Sequence, residues 1–192
     1  MSKVTHERGV NAVLVKNWLS DRFGSEGLEK ILAKLGFDAR AMISEPKASE
    51  WYPAALMEEV YKVIDEELGR RYPEILVDYG RYAADKSVKG FLRYLTRLIN
   101  IEMLIKRMPA FWKQYHKGGN IDAGEVSDTP DRQSTIISVD GFELGPAGCQ
   151  AIRGYIEGIL PMANVRDVKV KEKSCIYKGD ESCTWQASWL RQ

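Results

Sequence analysis

Apolar residues recur three and four positions apart along the first part of the chain, which is the spacing of amphipathic helices. The pattern predicts a series of such helices from about residue 10 to residue 117. Gly24 and Gly69 are expected to end two of them, because glycine accepts the backbone conformation that terminates a helix. Pro53 is expected to open another, since proline fits the first helical turn. The polar stretch 38–49 is predicted to be a linker.

Later in this helical part, a serine and a proline mark two more expected helix starts. Ser87 can cap a helix that contains Phe91. Pro109 is expected to restart a short helix, and Gly118 with Gly119 then ends the helical pattern.

The pattern changes to short alternating segments after Gly118. Residues 118–133 are rich in turn-forming residues and are predicted to form a loop. Apolar and polar residues then alternate in three segments, as expected for strands with one buried face. A longer apolar stretch between Gly145 and Pro161 is typical of a helix. The predicted elements are a strand at 134–143, a helix at 143–163 and two strands at 165–176 and 183–190.

This order of elements predicts an α+β fold. The N-terminal helices are expected to pack on a small antiparallel sheet, with a β-α-β-β unit at the C-terminal end. A chain of 192 residues can bury roughly 70% of its unfolded surface in one core. We therefore expect one domain at 1–192, with a mainly helical part at 1–117 and the β-α-β-β part at 134–190.

Composition excludes several functional classes. The 28 basic residues nearly balance the 27 acidic ones, whereas a dedicated nucleic-acid binder carries a basic excess. No stretch of 18 apolar residues that could span a membrane occurs. The first ten residues lack the apolar segment of a signal peptide, so a cytoplasmic protein is expected.

Three cysteines lie in the C-terminal part. Their odd number and a reducing compartment argue against a disulfide framework. Cys149 falls near the first turn of the predicted helix, and Cys175 and Cys183 flank the predicted turn of a hairpin. With Glu172 nearby, three thiolates and one carboxylate make a ligand set suited to tetrahedral zinc. Three thiols that simply fill the core explain the same positions, and the residues alone leave both interpretations open.

The stretch 134–190 resembles the V4R, or 4-vinyl reductase, domain. The resemblance lies in the order of a cysteine on a helix, an acidic residue and a cysteine, a Gly-Asp turn, and a cysteine that opens an alternating strand. The related sensor domains of phenol- and toluene-responsive transcription activators hold zinc with a Cys, Glu, Cys, Cys set. The resemblance therefore implies a zinc-binding β-α-β-β unit, with a structural zinc held by Cys149, Glu172, Cys175 and Cys183.

The same resemblance implies a fold and a mode of action. It implies the fold of Bet3-like trafficking subunits and of haem-based nitric-oxide-binding domains, which enclose an apolar pocket between helices and sheet. Members bind small apolar molecules, such as aromatics, tetrapyrrole-related compounds or an acyl chain. The resemblance also implies a homodimer formed by the N-terminal helices, through which, or through a partner protein, a signal would pass.

The densest stretch of aromatic and methionine residues is the candidate lining of this pocket. Trp51 and Tyr52 could join it, and ordinary core packing is the alternative for each of these side chains. The candidate ligand-binding residues are Tyr94, Met103, Met108, Phe111, Trp112 and Tyr115.

Haem and catalysis find little support in the residues. A haem sensor needs an axial ligand, usually histidine, on a helix. His6 and His116 are the two histidines, and neither lies in a Tyr-x-Ser-x-Arg-like context. No phosphate-binding loop and no credible nucleophile with its base is found. The favoured hypothesis is a sensor or carrier of a small apolar or aromatic, hydrocarbon-type molecule with a structural zinc. The alternatives are a tetrapyrrole (vinyl) reductase or its accessory protein, and a Bet3-like assembly subunit with a buried acyl chain.

Overall fold

The computed structural model describes residues 3–89 and 100–191 of the chain. Six α-helices and eight β-strands are found among these residues. The helices are α1 (Val10–Leu32), α2 (Phe37–Ser44), α3 (Ala54–Leu68), α4 (Ile75–Lys89), α5 (Ile101–Tyr115) and α6 (Gly145–Ile159). The strands are β1 (His6–Arg8), β2 (Trp51–Pro53), β3 (His116–Lys117), β4 (Asn120–Ala123), β5 (Ser127–Asp128), β6 (Arg132–Asp140), β7 (Lys169–Ser174) and β8 (Cys183–Leu190). The α+β class predicted from the sequence is confirmed.

The strands form two antiparallel sheets. The smaller sheet has the order β2-β1-β3 and joins the N-terminal segment to the chain after α5. The larger sheet has the order β4-β6-β8-β7, and β5 also pairs with β6. Alternate residues of β8 are buried in the core, which explains the alternating pattern of its sequence. These buried residues are Cys183, Trp185, Ala187 and Trp189.

The predicted helix boundaries agree with the structure at several punctuating residues. The axis of α1 is broken at Gly24, whose backbone has φ 68° and ψ −175°. A positive φ of this kind is readily adopted by glycine. Pro53 precedes the first residue of α3, and Gly69 follows its last residue. The predicted helix at 143–163 corresponds to α6 followed by the 3₁₀ turn Leu160–Ala163.

Three local predictions of helix and linker are wrong. The expected linker at 38–49 contains most of α2. Pro109 lies inside α5 and does not start a new helix. Ser87 lies inside α4, where its hydroxyl donates to the carbonyl of Ala83, and so it is not an N-cap. The helix expected around Phe91 falls outside the described residues.

The expected loop at 118–133 is also different in the structure. It contains the strands β4 and β5, both of which pair with β6. Both strands are short, and β6, with which they pair, begins only after the turn at Pro130. The local composition therefore gives little sign of a strand. The stretch therefore extends the larger sheet. No helix in the described part of the chain is long and apolar enough to cross a membrane.

Helices α4 and α6 pack with their backbones in direct contact. A Cβ atom added to Gly80 of α4 would lie 2.1 Å from the carbonyl oxygen of Ala151. A Cβ atom on Gly154 of α6 would lie 2.1 Å from the carbonyl oxygen of Val77. These two glycines thus permit an approach that no larger residue allows.

Replacing Gly154 with alanine is expected to lower the free energy of unfolding by about 1–2 kcal/mol. The forced separation of α4 and α6 should outweigh the gain in helix propensity that alanine provides. Urea denaturation followed by circular dichroism measures the change. The matched control is Gly124→Ala, where the nearest atom to the new Cβ would be the carbonyl oxygen of Ile136 at 3.7 Å. Equal midpoints for the two variants would contradict the close-packing argument.

Candidate ligand cavity and thiol cluster

A cavity of about 120 Å³ lies between the helices and the two sheets. Its walls are contributed mainly by α4, α5 and α6, with two side chains from α1, single side chains from β1, α3, β3 and β4, and Phe142 from the segment before α6. Most of the lining is apolar or aromatic. A smaller set of polar side chains faces the same space and consists of Glu7, Asn11, Tyr61, Tyr79, Ser87, Tyr115, His116 and Tyr155.

The carboxylate of Glu7 defines one polar end of the cavity. Glu7 is 1% exposed although it is a charged residue type, which rarely occurs without partners. The antiparallel register of β1 and β3 places it directly opposite His116. The Nδ1 atom of His116 lies 3.3 Å from Glu7 Oε1 without making a hydrogen bond. Four residues after Glu7, at the start of α1, the Nδ2 atom of Asn11 donates to Glu7 Oε2 at 3.0 Å.

Two buried tyrosines adjoin this carboxylate. Tyr61 of α3 and Tyr79 of α4 have ring centroids 5.8 Å apart, and the Tyr79 hydroxyl donates to the carbonyl of Asn11. Burial raises the pKa of Tyr79, and the negative charge of Glu7 raises it further. Burial is also the main cause that raises the pKa of Tyr61. Both phenols therefore stay neutral and can donate or accept hydrogen bonds.

Two aromatic rings flank the imidazole of His116. The rings of Trp112 and His116 lie 4.0 Å apart, and the edge of Phe142 packs against both. The indole Nε1 atom of Trp112 donates to the carbonyl of Gly118 at 3.0 Å, which fixes the indole where α5 ends. The arrangement holds His116 in place at the cavity wall.

The predicted ligand-binding residues do not all line the cavity. Met108, Phe111, Trp112 and Tyr115 line the cavity. Met103 is 38% exposed and does not line it, because its position on α5 faces away from the core. Tyr94 lies outside the described residues.

Other residues singled out from the sequence lie elsewhere. Trp51 and Tyr52 lie on β2 and do not line the cavity, and the ring of Trp51 instead lies beneath the cationic groups of Arg8 and Lys117. His6 contacts the hydroxyl of Thr5.

The polar end of the cavity could not be predicted from the sequence. Glu7, Asn11, Tyr61 and Tyr79 come from three segments that are distant in the chain, and each occurs in an ordinary amphipathic or strand-like context. The one available signal was a glutamate in the short N-terminal segment with an asparagine four residues later. That spacing gives no information about the strand pairing that buries the carboxylate.

The three cysteines form a second cluster, under the larger sheet. Cys149 of α6, Cys175 after β7 and Cys183 of β8 are all buried, with their sulfur atoms within 4.8 Å of one another. The Sγ atoms of Cys149 and Cys183 are 3.7 Å apart. The hydrogen bond between these two thiols lowers the pKa of Cys183 and raises that of Cys149.

Glu172, the fourth ligand implied by the resemblance, does not join the thiols. Its carboxylate forms an ion pair with the ammonium group of Lys178, and its side chain is 28% exposed. Glu172 lies on the half-buried face of β7, with Val170 and Ser174, but its carboxylate is turned to Lys178 and away from the thiols. The structure therefore brings together three of the four predicted metal-ligating side chains.

Loss of stability at alkaline pH is expected from the tyrosines that line the cavity. Burial raises the pKa of Tyr155 from 10.0 to about 12, with the hydrogen bond to Ser87 acting in the opposite direction. Between these two pH values the unfolded chain loses a proton that the folded chain retains, so the free energy of unfolding falls as the pH rises. The contribution of Tyr155 over this pH range is about 3 kcal/mol. Denaturation of Tyr155→Phe from pH 8 to pH 12 should show a shallower decline, and identical declines would contradict this.

Comparison with known proteins finds a match in fold alone. No protein-family model matches the chain, and no curated protein matches it. An Fe(II) unliganded H-NOX protein from K. algicida superposes with a TM-score of 0.70 and 12% identity, over 96% of this chain and 97% of that one. An H-NOX protein from S. oneidensis in the Fe(II)NO state gives 0.69 and 12%, over 96% and 99%. A structure described as probing heme distortion in the H-NOX family gives 0.67 and 15%, over 96% and 95%.

These matches correct two predictions. The chain has the H-NOX fold, and the identification of a V4R domain from residues 134–190 is wrong, because the similar solved structures are H-NOX proteins. The structural zinc implied by that resemblance is wrong as well. The proteins with this fold are described with Fe(II) or heme, and the Glu172 carboxylate is engaged by Lys178. Both predictions relied on a short cysteine motif, whereas the structural matches cover 96% of the chain.

Proposed function

We propose that this chain binds one small, largely apolar molecule in the cavity and acts as a ligand sensor or carrier. The observation that supports this is a cavity of about 120 Å³ with mostly apolar walls and a cluster of polar side chains around Glu7. Sites for small molecules generally combine an apolar lining with a small number of placed polar groups. The likeness to H-NOX proteins agrees with the proposal at the level of the fold.

The size of the cavity limits the ligand to about one ring. An engineered apolar cavity of about 150 Å³ in another protein binds benzene, and this cavity is slightly smaller. The rings of Phe111, Trp112 and Phe142 provide flat surfaces that suit an aromatic ligand. A single-ring compound with a short substituent is the class that matches this space.

A haem does not fit this cavity. Sites for larger ligands occupy about 300–1,000 Å³, well above the volume found here. Among the described residues that line the space there is no lysine or arginine to receive the two propionates, and Glu7 adds a carboxylate of the same charge. The His116 ring is enclosed by Trp112 and Phe142 with its Nδ1 atom toward Glu7. A different tetrapyrrole meets the same limit of volume.

Binding at this position can alter the packing of the molecule. The cavity wall is shared by α5, α6 and the small sheet that holds the N-terminal segment. A ligand shifts an equilibrium between two packings only as far as it binds one of them more tightly. A signal would pass from these elements to a partner protein or to a second copy of the chain.

Titration of the purified protein with ethylbenzene and with benzyl alcohol tests the proposal. Both compounds are expected to raise the melting temperature in a saturable manner, because a ligand that binds the folded state stabilises it. Native mass spectrometry of the protein as purified should also reveal any retained small molecule. The variant Ala83→Phe places a ring in the cavity wall and should abolish the shift.

The matched control for this variant is Ala55→Phe, which adds the same ring at an exposed position of α3. It should respond to both compounds as the unmodified protein does. A melting temperature that neither compound changes, or an equal response from Ala83→Phe, would refute a ligand site in the cavity.

A further inference from the structure

We infer that the ligand carries a protonated amine that binds Glu7 at the polar end of the cavity. This inference builds on the proposed function and assigns the chemical class of the molecule. The Glu7 side chain is 99% removed from solvent by its neighbours and faces the cavity. A buried carboxylate is costly unless it is paired or fully hydrogen-bonded.

The side chains in the described part of the chain leave this carboxylate incompletely satisfied. Asn11 donates one hydrogen bond to Oε2, whereas an ionised carboxylate can accept about four. His116 Nδ1, 3.3 Å from Oε1, forms an ion pair with the carboxylate only when the imidazole is protonated, and it is not aligned to donate a hydrogen bond. The Tyr79 hydroxyl is directed to the carbonyl of Asn11 instead. Acceptor capacity is therefore left on the carboxylate beside the cavity.

An ammonium group complements these neighbours. Its three N–H groups can donate to Glu7 and to the phenol oxygens of Tyr61 and Tyr79, which remain un-ionised. Aromatic faces attract cations, and this polar end is bordered by Tyr61, Tyr79 and Trp112. The apolar remainder of the cavity then accommodates the body of the ligand.

The same arrangement disfavours an anionic ligand. Glu7 is the acidic residue of the lining, and no lysine or arginine is found among the described lining residues. A carboxylate or phosphate on the ligand would face the Glu7 carboxylate in a region that excludes water, where repulsion between like charges is strong. Aromatic acids and fatty acids are thereby excluded as a class, and arylalkylamines are favoured.

Four single-ring probes of similar size separate the possibilities: benzylamine, ethylbenzene, benzyl alcohol and benzoate. Calorimetric titration of the unmodified protein should show benzylamine binding about 10- to 100-fold more tightly than ethylbenzene, because hydrogen bonds to a charged group are among the stronger ones. Benzyl alcohol should be intermediate, and benzoate should bind most weakly. This comparison needs no variant and does not depend on whether a substitution folds.

Glu7→Gln supplies the second arm of the test. The amide keeps the shape of the side chain and removes its charge, so benzylamine affinity should fall about 10- to 100-fold. Ethylbenzene affinity should stay within about twofold. The matched control is Glu29→Gln, which removes one carboxylate from an exposed position and should leave all four affinities unchanged.

Three outcomes would overturn the inference, and they separate it from the proposed function. Equal affinity for benzylamine and ethylbenzene would refute an amine ligand while a ligand site remains. Equal affinity for benzylamine and benzyl alcohol, or an unchanged benzylamine affinity in a folded Glu7→Gln protein, would assign a neutral hydrogen-bond donor instead. Failure of all four probes to bind would refute the proposed function, and the inference with it.

Discussion

Replacing Trp18 with alanine is expected to lower the free energy of unfolding by about 3–5 kcal/mol. The Trp18 side chain is 2% exposed and lies between α1 and α4. Its ring packs edge-on against Phe23 and Tyr79, with centroids 5.9 Å and 5.4 Å away. Its Nε1 atom donates to a carboxylate oxygen of Asp78 at 3.2 Å. The substitution would leave a large void between α1 and α4, whereas Asp78 would keep its ion pair with Arg22.

Chemical denaturation of Trp18→Ala against Trp51→Ala measures this effect. Trp51 is the matched control, because it is half-buried on β2 and contacts mainly the cationic ends of Arg8 and Lys117. Exposed cation–π contacts of this kind contribute about 0.5–1 kcal/mol. Similar losses for the two variants would mean that Trp18 does not hold α1 against α4.

Adding haem to the purified protein is expected to give no stoichiometric complex, in contrast to what the fold alone suggests. The cavity of about 120 Å³ is too small for a tetrapyrrole, and Glu7 repels the propionates from inside it. An absorption titration followed by gel filtration measures how much haem remains with the protein.

Specific binding of haem in the cavity would be recognised by its stoichiometry and its absorption spectrum. One haem per chain after gel filtration, with a Soret band that changes in His116→Ala, would assign His116 as an axial ligand and refute the proposed single-ring site. A band of the same shape in both proteins would indicate haem adsorbed outside the cavity, as expected for an apolar porphyrin on a protein surface.

The architecture could be predicted where local periodicity is strong. The helical spacing around Leu56, Val60 and Ile64 corresponds to α3, and the alternation that includes Trp185 and Trp189 corresponds to β8. In both cases one side of the element faces the core, so burial imposes the period of the element on the sequence. Gly24 and Pro53 are recognisable in the sequence because the conformational freedom of glycine and the fixed φ of proline act within one or two residues.

The incorrect predictions, for β4, β5 and α2, share a different cause. The strands β4 and β5 are stabilised by pairing with β6, and β4 pairs with the distant half of that strand. The polar helix α2 is held by packing, with Ala39, Met42 and Ile43 buried beneath otherwise exposed residues. Local composition weighs little in such segments, because tertiary contacts supply most of their stability.

The thiol cluster could be predicted from the sequence only in part. Cys175 and Cys183 flank one hairpin, so their proximity followed from the sequence. Cys149, near the start of α6, is the third thiol of the cluster. The spacing did not specify what the thiols bind. Glu172 was assigned to them by analogy, but its carboxylate forms an ion pair with Lys178 instead.

By itself the sequence determined the α+β class, most helices and the edge of an aromatic pocket on α5, because each depends on residues within a few turns of one another. The tertiary structure alone decided that Glu7 is buried opposite His116, beside Asn11 and Tyr79, at the end of that pocket. This position arises from the register between β1 and β3, two short strands at opposite ends of the helical part of the chain. Pairing between distant segments leaves no periodic signal in either of them, and the chemistry of the cavity depends on that pairing.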